Sequence, residues 1–307
     1  MTTAFLSHPA CKLHDMSAGH PECPARLDVV ETLLSASGIL DRLHHVQAPS
    51  ASRVDLERVH TADYVQSIFE AAPSQPAMVQ LDQDTAMNEH SLEAALKAAG
   101  AQIKAVDLVM GEDTANAYCH VRPPGHHAVH HRAMGFCFFN NVAVGAAYAL
   151  DRYKLNRVAI LDFDVHHGNG TEDMFAGNNN VLFCSSFQHP HYPYTGVHPS
   201  AENVVYAPLS AGSAGAAFQA AVQTHWLPAV DAFKPEMLFI SAGFDAHHED
   251  PLSGLSLQEN DYYWVTEQIM SIAATHAHGR IVSTLEGGYA LEALASSVKA
   301  HILALMA

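Results

Sequence analysis

Val158-Ala-Ile-Leu-Asp-Phe-Asp164-Val-His166-His167-Gly-Asn169-Gly170 is the stretch on which the fold turns. Its first half is an unbroken apolar run that closes on acids, the pattern of a strand buried on both faces. Further strands are read at Val181–Ser185, Val204–Ala207, Met237–Ala242 and Arg280–Leu285. Between and before them lie segments with helical spacing. Pro24 to Ser37 places Leu27, Val30, Leu33 and Leu34 on one face and stops at Gly38. Thr61 and Ser91 are expected to cap two further helices, and others are expected over 140–153, 216–233, 258–276 and 291–305. Apolar strands alternating with helices predict an α/β fold, an open, mainly parallel sheet with helices on both faces. No composition break divides the chain, so one domain is expected over residues 1–307.

Composition narrows the function. Hydrophobic residues make up 49% of 307 and charged residues only 15%, which excludes disorder as the dominant state. Lys and Arg number 15 against 32 Asp and Glu, a net charge of −17. Nucleic-acid binding needs clustered cations, so it is not expected, and cationic partners are favoured instead. There is no apolar stretch of membrane-spanning length and no basic-then-apolar leader at Met1–Asp15, so a cytoplasmic, membrane-free protein is expected. The five cysteines are odd in number and include no C-x-x-C pair, which reads as reduced thiols.

In open α/β sheets ligands bind beyond the carboxyl ends of the strands. Three of the strands here run into reactive side chains: Asp162 to Gly170, Ile240 to Asp245, and Glu286-Gly-Gly-Tyr289. On an extended chain Asp164 and His166 would point the same way and could grip one metal ion, with Asp245 as a third ligand from a neighbouring strand. The pair His126-His127 follows Pro123-Pro124-Gly125 on a stiff loop, and an imidazole there can move a proton near neutral pH. Tyr289 could donate its hydroxyl to a developing oxyanion.

These segments, with Gly19-His-Pro-Glu-Cys-Pro-Ala-Arg26, Arg122-Pro-Pro-Gly-His-His127, Gly135-Phe-Cys-Phe-Phe-Asn140 and Asp250-Pro251, occur in an order that resembles the histone deacetylase superfamily, class II branch, to which acetylpolyamine amidohydrolases are related. The resemblance implies an arginase-like fold and an enzyme that removes acyl groups from acylated lysine, in a peptide or protein, or from an acetylated small amine. It assigns Asp164, His166 and Asp245 to zinc, with Fe2+ as an alternative metal. His127 becomes the general base and acid, His126 its paired histidine held by Asp162, Asn169 the partner beside His127, and Tyr289 the carbonyl-polarising phenol. A structural K+ is implied at Asp162 and Ser185 with backbone carbonyls of Asp164, His166 and Ser186. Gly135, Phe136 and Tyr192 match the substrate tunnel, Leu252 its gatekeeper, Asp84 a rim acceptor, and Arg26 an internal channel for released acetate. A polyamine-selective relative carries Glu where Leu252 stands.

A binuclear ureohydrolase would share the fold, but it resembles D-x-H-x-D, and Gly168 occupies the position of the second carboxylate. A non-catalytic acetyl-lysine sensor would be expected to lack His127 or Tyr289. No G-x-S-x-G, H-E-x-x-H or P-loop motif occurs. His130 and His131 read as solvated or capping, His189 and His191 as lining the mouth, and His247 and His248 as rim or supporting residues. Glu286 has two readings, structural or close to the site.

Overall fold

Ten strands order the chain in a computed structural model that describes residues 2–307. They are β1 (Thr3–Ser7), β2 (His44–Gln47), β3 (Val79–Gln80), β4 (Ala86–Met87), β5 (Asn116–Cys119), β6 (Val158–Asp162), β7 (Val181–Gln188), β8 (Val204–Leu209), β9 (Met237–Ala242) and β10 (Ile281–Leu285). Eight form one sheet in the order β2-β1-β5-β10-β9-β6-β7-β8, and every pairing in it is parallel. β3 and β4 make a small antiparallel pair of their own.

All five predicted strands of the sheet are present, and the sheet is α/β as read. Three further strands of the sheet escaped the sequence reading, as did the short pair β3 and β4. β2 is a polar edge strand, His-His-Val-Gln, with mostly exposed residues. β5 is wholly buried, but Asn-Ala-Tyr-Cys is short and carries no β-branched residue. β1 sits too close to the chain start for a repeating pattern to show.

Local chemistry explains the helix ends. The Thr61 hydroxyl accepts from Tyr64 N, and the Asn140 amide oxygen accepts from Ala143 N at 3.1 Å, each capping its helix. Ser91 is instead the first residue of the helix Ser91–Met110, and its hydroxyl accepts from Asn88 N. The helix expected over 216–233 is interrupted by a π-helical turn at Val222–Trp226, just before Pro228. Proline has no N–H to continue the α ladder, and the chain takes the wider turn.

The main core lies on both faces of the sheet, and a second cluster gathers Leu56, Tyr64, Ile68, Phe138 and Phe139. That cluster backs the loop carrying Gly135 and Phe136. The five cysteines are free thiols.

His301 sits inside the main core, fully buried between Thr266 and Ser283. Thr266 donates its proton to Tyr262 O, so its oxygen accepts from His301 Nδ1 and the other ring nitrogen accepts from Ser283. A neutral ring satisfies every group, and burial pushes its pKa down to about 3. In the unfolded chain the same ring titrates near ~6.5. Between those values the unfolded chain holds more protons, so stability falls as pH drops below neutrality. We expect the loss between pH 7 and pH 5, read from urea midpoints, to shrink by ~1–2 kcal/mol in His301→Gln. The same pH dependence in both proteins would clear His301 of the acid sensitivity.

Candidate active site

Adjacent strands β5, β10, β9, β6 and β7 end on one side of the sheet, and their loops build the site. β6 delivers Asp162, Asp164 and His166, β9 delivers Asp245, β10 leads to Glu286 and Tyr289, and β5 leads to the Arg122–His127 loop. The strand β6 stops at Asp162, so Asp164 and His166 lie on a bend rather than on an extended chain. They converge nonetheless. His166 Nδ1 is 3.0 Å from Asp164 Oδ1 and 3.1 Å from Asp245 Oδ2.

The ligand atoms of these three buried residues all lie within 4.8 Å of one another. Burial and the neighbouring Asp164 push the Asp245 carboxyl up to about 7. His166 is driven the other way: burial opposes its charge, yet the two carboxylates raise it to about 10. One imidazole proton therefore stands between two desolvated acids. Two carboxylates and one imidazole are the donor set of zinc or iron(II), and such a cation would satisfy all three at once. The far oxygens are already engaged, Asp164 Oδ2 with Gly287 N at 2.8 Å and Asp245 Oδ1 with Val165 N at 2.8 Å. Position 287 must be glycine for this, because a Cβ there would run into both carboxylates.

Above this cluster opens a cavity of about 210 Å³. Its wall includes Phe136, Tyr192, Leu252, Tyr289 and both His126 and His127, with Asp84, Gly135 and His191 also lining it. Gly135 lies at φ +56°, and a Cβ on it would strike the His127 ring. Phe136 continues in the same left-handed region, at φ 67°, and its N–H donates to Thr85 Oγ1 at 3.0 Å. Thr85 in turn donates to Asp84 Oδ1, which ties the rim acid to the aromatic wall. Tyr192 meets the His127 ring edge-on, with centroids 5.1 Å apart.

The two adjacent histidines have different partners. His126 Nδ1 donates to the Asp162 carboxylate at 2.9 Å. Burial would lower its pKa, but Asp164 and Asp162 carry it well above the usual value. His127 Nδ1 donates to the Asn169 amide oxygen at 2.7 Å, leaving Nε2 as an acceptor. Burial and the charges of His126 and His166 hold His127 well below the usual range. The pair is thus split into a ring that keeps its proton and a neutral ring able to take one.

Tyr289 is fixed through its backbone, where Asp250 Oδ2 accepts from Tyr289 N at 2.7 Å. Burial keeps its phenol protonated, well above the ordinary value. Arg26 lies behind this wall, not in the cavity, 5.1 Å from the Tyr289 ring centroid. Ser185 pairs in register with Asp162, and Ser186 follows it, both buried.

Several residues without an assigned role hold this assembly. Glu286 is structural and close to the site at once: its Oε2 accepts from Gly125 N at 2.7 Å and His126 N at 3.2 Å, anchoring the histidine loop. Glu22 is fully buried against Arg122, Arg26 and His14. Asp250 joins Tyr289 to Leu252, whose N–H it accepts at 3.0 Å. His191 stacks on His166 at 5.1 Å and meets Leu252 O, whereas His189 is not among the cavity residues. His247 is buried near Glu259 and, like His248, stands outside the Asp-His-Asp cluster.

The likenesses of this chain to known proteins are to deacetylase-type hydrolases. The chain belongs to the histone deacetylase family: the histone deacetylase domain matches residues 20–305. It is 39% identical over 280 residues to a histone deacetylase-like amidohydrolase of Pseudomonas aeruginosa, covering 89% of this chain and 73% of that one. A probable deacetylase of Archaeoglobus fulgidus is 34% identical, over 100% of this chain and 87% of its own. The crystal structure of the HDA15 HD domain superposes with a TM-score of 0.93 at 32% identity, covering 99% of this chain and 89% of that one. Among the described residues, no helix is long and apolar enough to cross a membrane.

Proposed function

We propose that this hydrolase removes acetyl or longer acyl groups from the ε-amine of lysine, using one divalent cation held by Asp164, His166 and Asp245. The observation that carries the reading is the convergence of those three ligands at the foot of an aromatic-walled cavity that His127 and Tyr289 also line. When bound, the cation, zinc or iron(II), would supply Lewis-acid polarisation of the amide carbonyl and acidify the attacking water. The chain's own residues do the remaining work. His127, with Nε2 unprotonated, takes the water's proton and later returns it to the leaving amine. His126, kept charged by Asp162, favours the developing negative charge. Tyr289 donates its phenol to the oxyanion. Phe136 and Tyr192 flank the apolar linker of the acyl-lysine, and Asp84 accepts from the substrate backbone at the rim. Arg26 serves the channel through which acetate leaves. A K+ between Asp162 and Ser185, completed by carbonyls of Asp164, His166 and Ser186, would brace the bend after β6, and the β6–β7 register supports this.

Acetylpolyamine is the second reading, and the Leu252 side chain in the cavity disfavours it, because an apolar gate offers no anion to a polyamine. A side-by-side series of kcat/KM on acetyl-lysine peptides, longer acyl-lysines and acetylspermidine tests the assignment. Preference for acetylspermidine would replace it. Tyr289→Phe should lower kcat ~10²–10³-fold with little change in KM, the scale of one lost oxyanion donor. Unchanged turnover in that variant would take Tyr289 out of the chemistry.

A further inference from the structure

We propose that His130, His131 and Asp173 form a second, surface site for a divalent transition metal, one that staples the catalytic histidine loop to the helix Asn169–Phe175. One ligand atom from each residue lies within 4.8 Å of the other two, and all three face solvent. This is a mixed imidazole and carboxylate set, the kind that suits Zn2+, Ni2+ or Cu2+.

The geometry is held before any ion arrives. His130 and His131 occupy the tip of a tight hairpin whose arms, Val129 and Arg132, exchange backbone hydrogen bonds of 3.1 and 3.4 Å. The His130 backbone is pinned at both ends: its N–H donates to Asp173 Oδ2 at 2.9 Å, and its carbonyl accepts from Thr61 N at 2.9 Å. His130 Nδ1 also points at Asp173 Oδ2, 2.5 Å away, and the two imidazole centroids are 4.5 Å apart. Preorganised ligands lose little conformational freedom on binding. Two cations that line the same surface hollow are already paired, Arg58 with Asp55 and Asp151, and Lys154 with Asp151 at 3.2 Å, and the neighbouring Arg132 guanidinium turns to Met134 Sδ.

The position gives the ion a consequence. His130 is three residues beyond His127, and Asp173 is one helical turn beyond Asn169. The His127–Asn169 hydrogen bond joins the same two elements on the buried side. An ion across His130, His131 and Asp173 would tie them together on the solvent side as well.

The test compares the full-length wild type with His131→Ala, Asp173→Asn and the surface control His44→Ala, each dialysed against Ni2+ alone. Wild type and control should retain one more Ni2+ per chain than either site variant, and that difference is independent of what the buried cluster holds. Bound Ni2+ should also slow amide hydrogen exchange over residues 128–133 in wild type and not in Asp173→Asn. Equal Ni2+ content in all four proteins would overturn the site. Extra Ni2+ without slowed exchange would overturn the staple.

Discussion

Asp245→Asn is expected to abolish measurable deacetylation of an acetyl-lysine peptide and to lower the metal content of the purified chain. The substitution keeps the size of the side chain but removes the negative charge and one anionic donor from the Asp164–His166–Asp245 cluster. A metal in this role supplies several kcal/mol of transition-state stabilisation, so the loss should be ~10³-fold or more. Chelation of the wild type should have the same effect, and readdition of Zn2+ or Fe2+ should restore turnover to the wild type alone. His166 would also lose one of the two acids that now raise it to about 10, and it would remain next to Asp164 only. The fold should survive, because Val165 N can still bond to the Asn oxygen where it now meets Asp245 Oδ1. A variant with normal unfolding, depleted metal and full activity would end the metal-dependent reading.

Glu22→Gln should produce the largest loss of stability. Glu22 is wholly buried, and burial alone would raise its pKa; Arg122 and His14 instead hold it well below the carboxylate range. Arg122 makes a two-pronged contact through Nε and Nη2, the second at 2.6 Å, and Arg26 Nη1 reaches Oε1 at 3.0 Å. Gln preserves the shape and leaves two buried guanidinium groups without the anion that they pair with directly. Breaking one side of a buried ion pair costs ~3–5 kcal/mol. Urea unfolding should show that shift in full. A change below ~1 kcal/mol would mean that the carbonyls of Cys11, His14, Glu286 and Gly288 suffice to hold both arginines. Because Arg26 also bonds Gly288 O and lies against Tyr289, activity should fall with stability.

The sheet was readable where a strand opens on a run of apolar residues. β6 and β9 are apolar over their first four residues, and β7 and β10 open on Val-Leu-Phe and Ile-Val, because both faces of these strands are buried, and such openings have few other readings. β2 is exposed and polar at the edge, and β5 is only four residues long, so neither carries a local signal. The site was readable for a related reason. Asp162, Asp164, His166, Asp245, Glu286 and Tyr289 follow strand ends directly, and parallel strands place those ends on one side.

Residues that act by contact across the chain were harder to read. Glu22 lies 100 positions from Arg122, and Asp250 lies 39 from Tyr289, so no spacing rule links them. His130 and His131 read as solvated or capping, since a sequence cannot show that Asp173 reaches His130 from another element. Hydrophobic period and strand-end chemistry are local properties, and the amino-acid order alone determined the α/β class and the inventory of reactive groups. Strand order, the approach of two buried acids to one imidazole, and the opposite protonation of His126 and His127 depend on desolvation and on distances of a few ångströms between remote segments. Only the tertiary structure decided those.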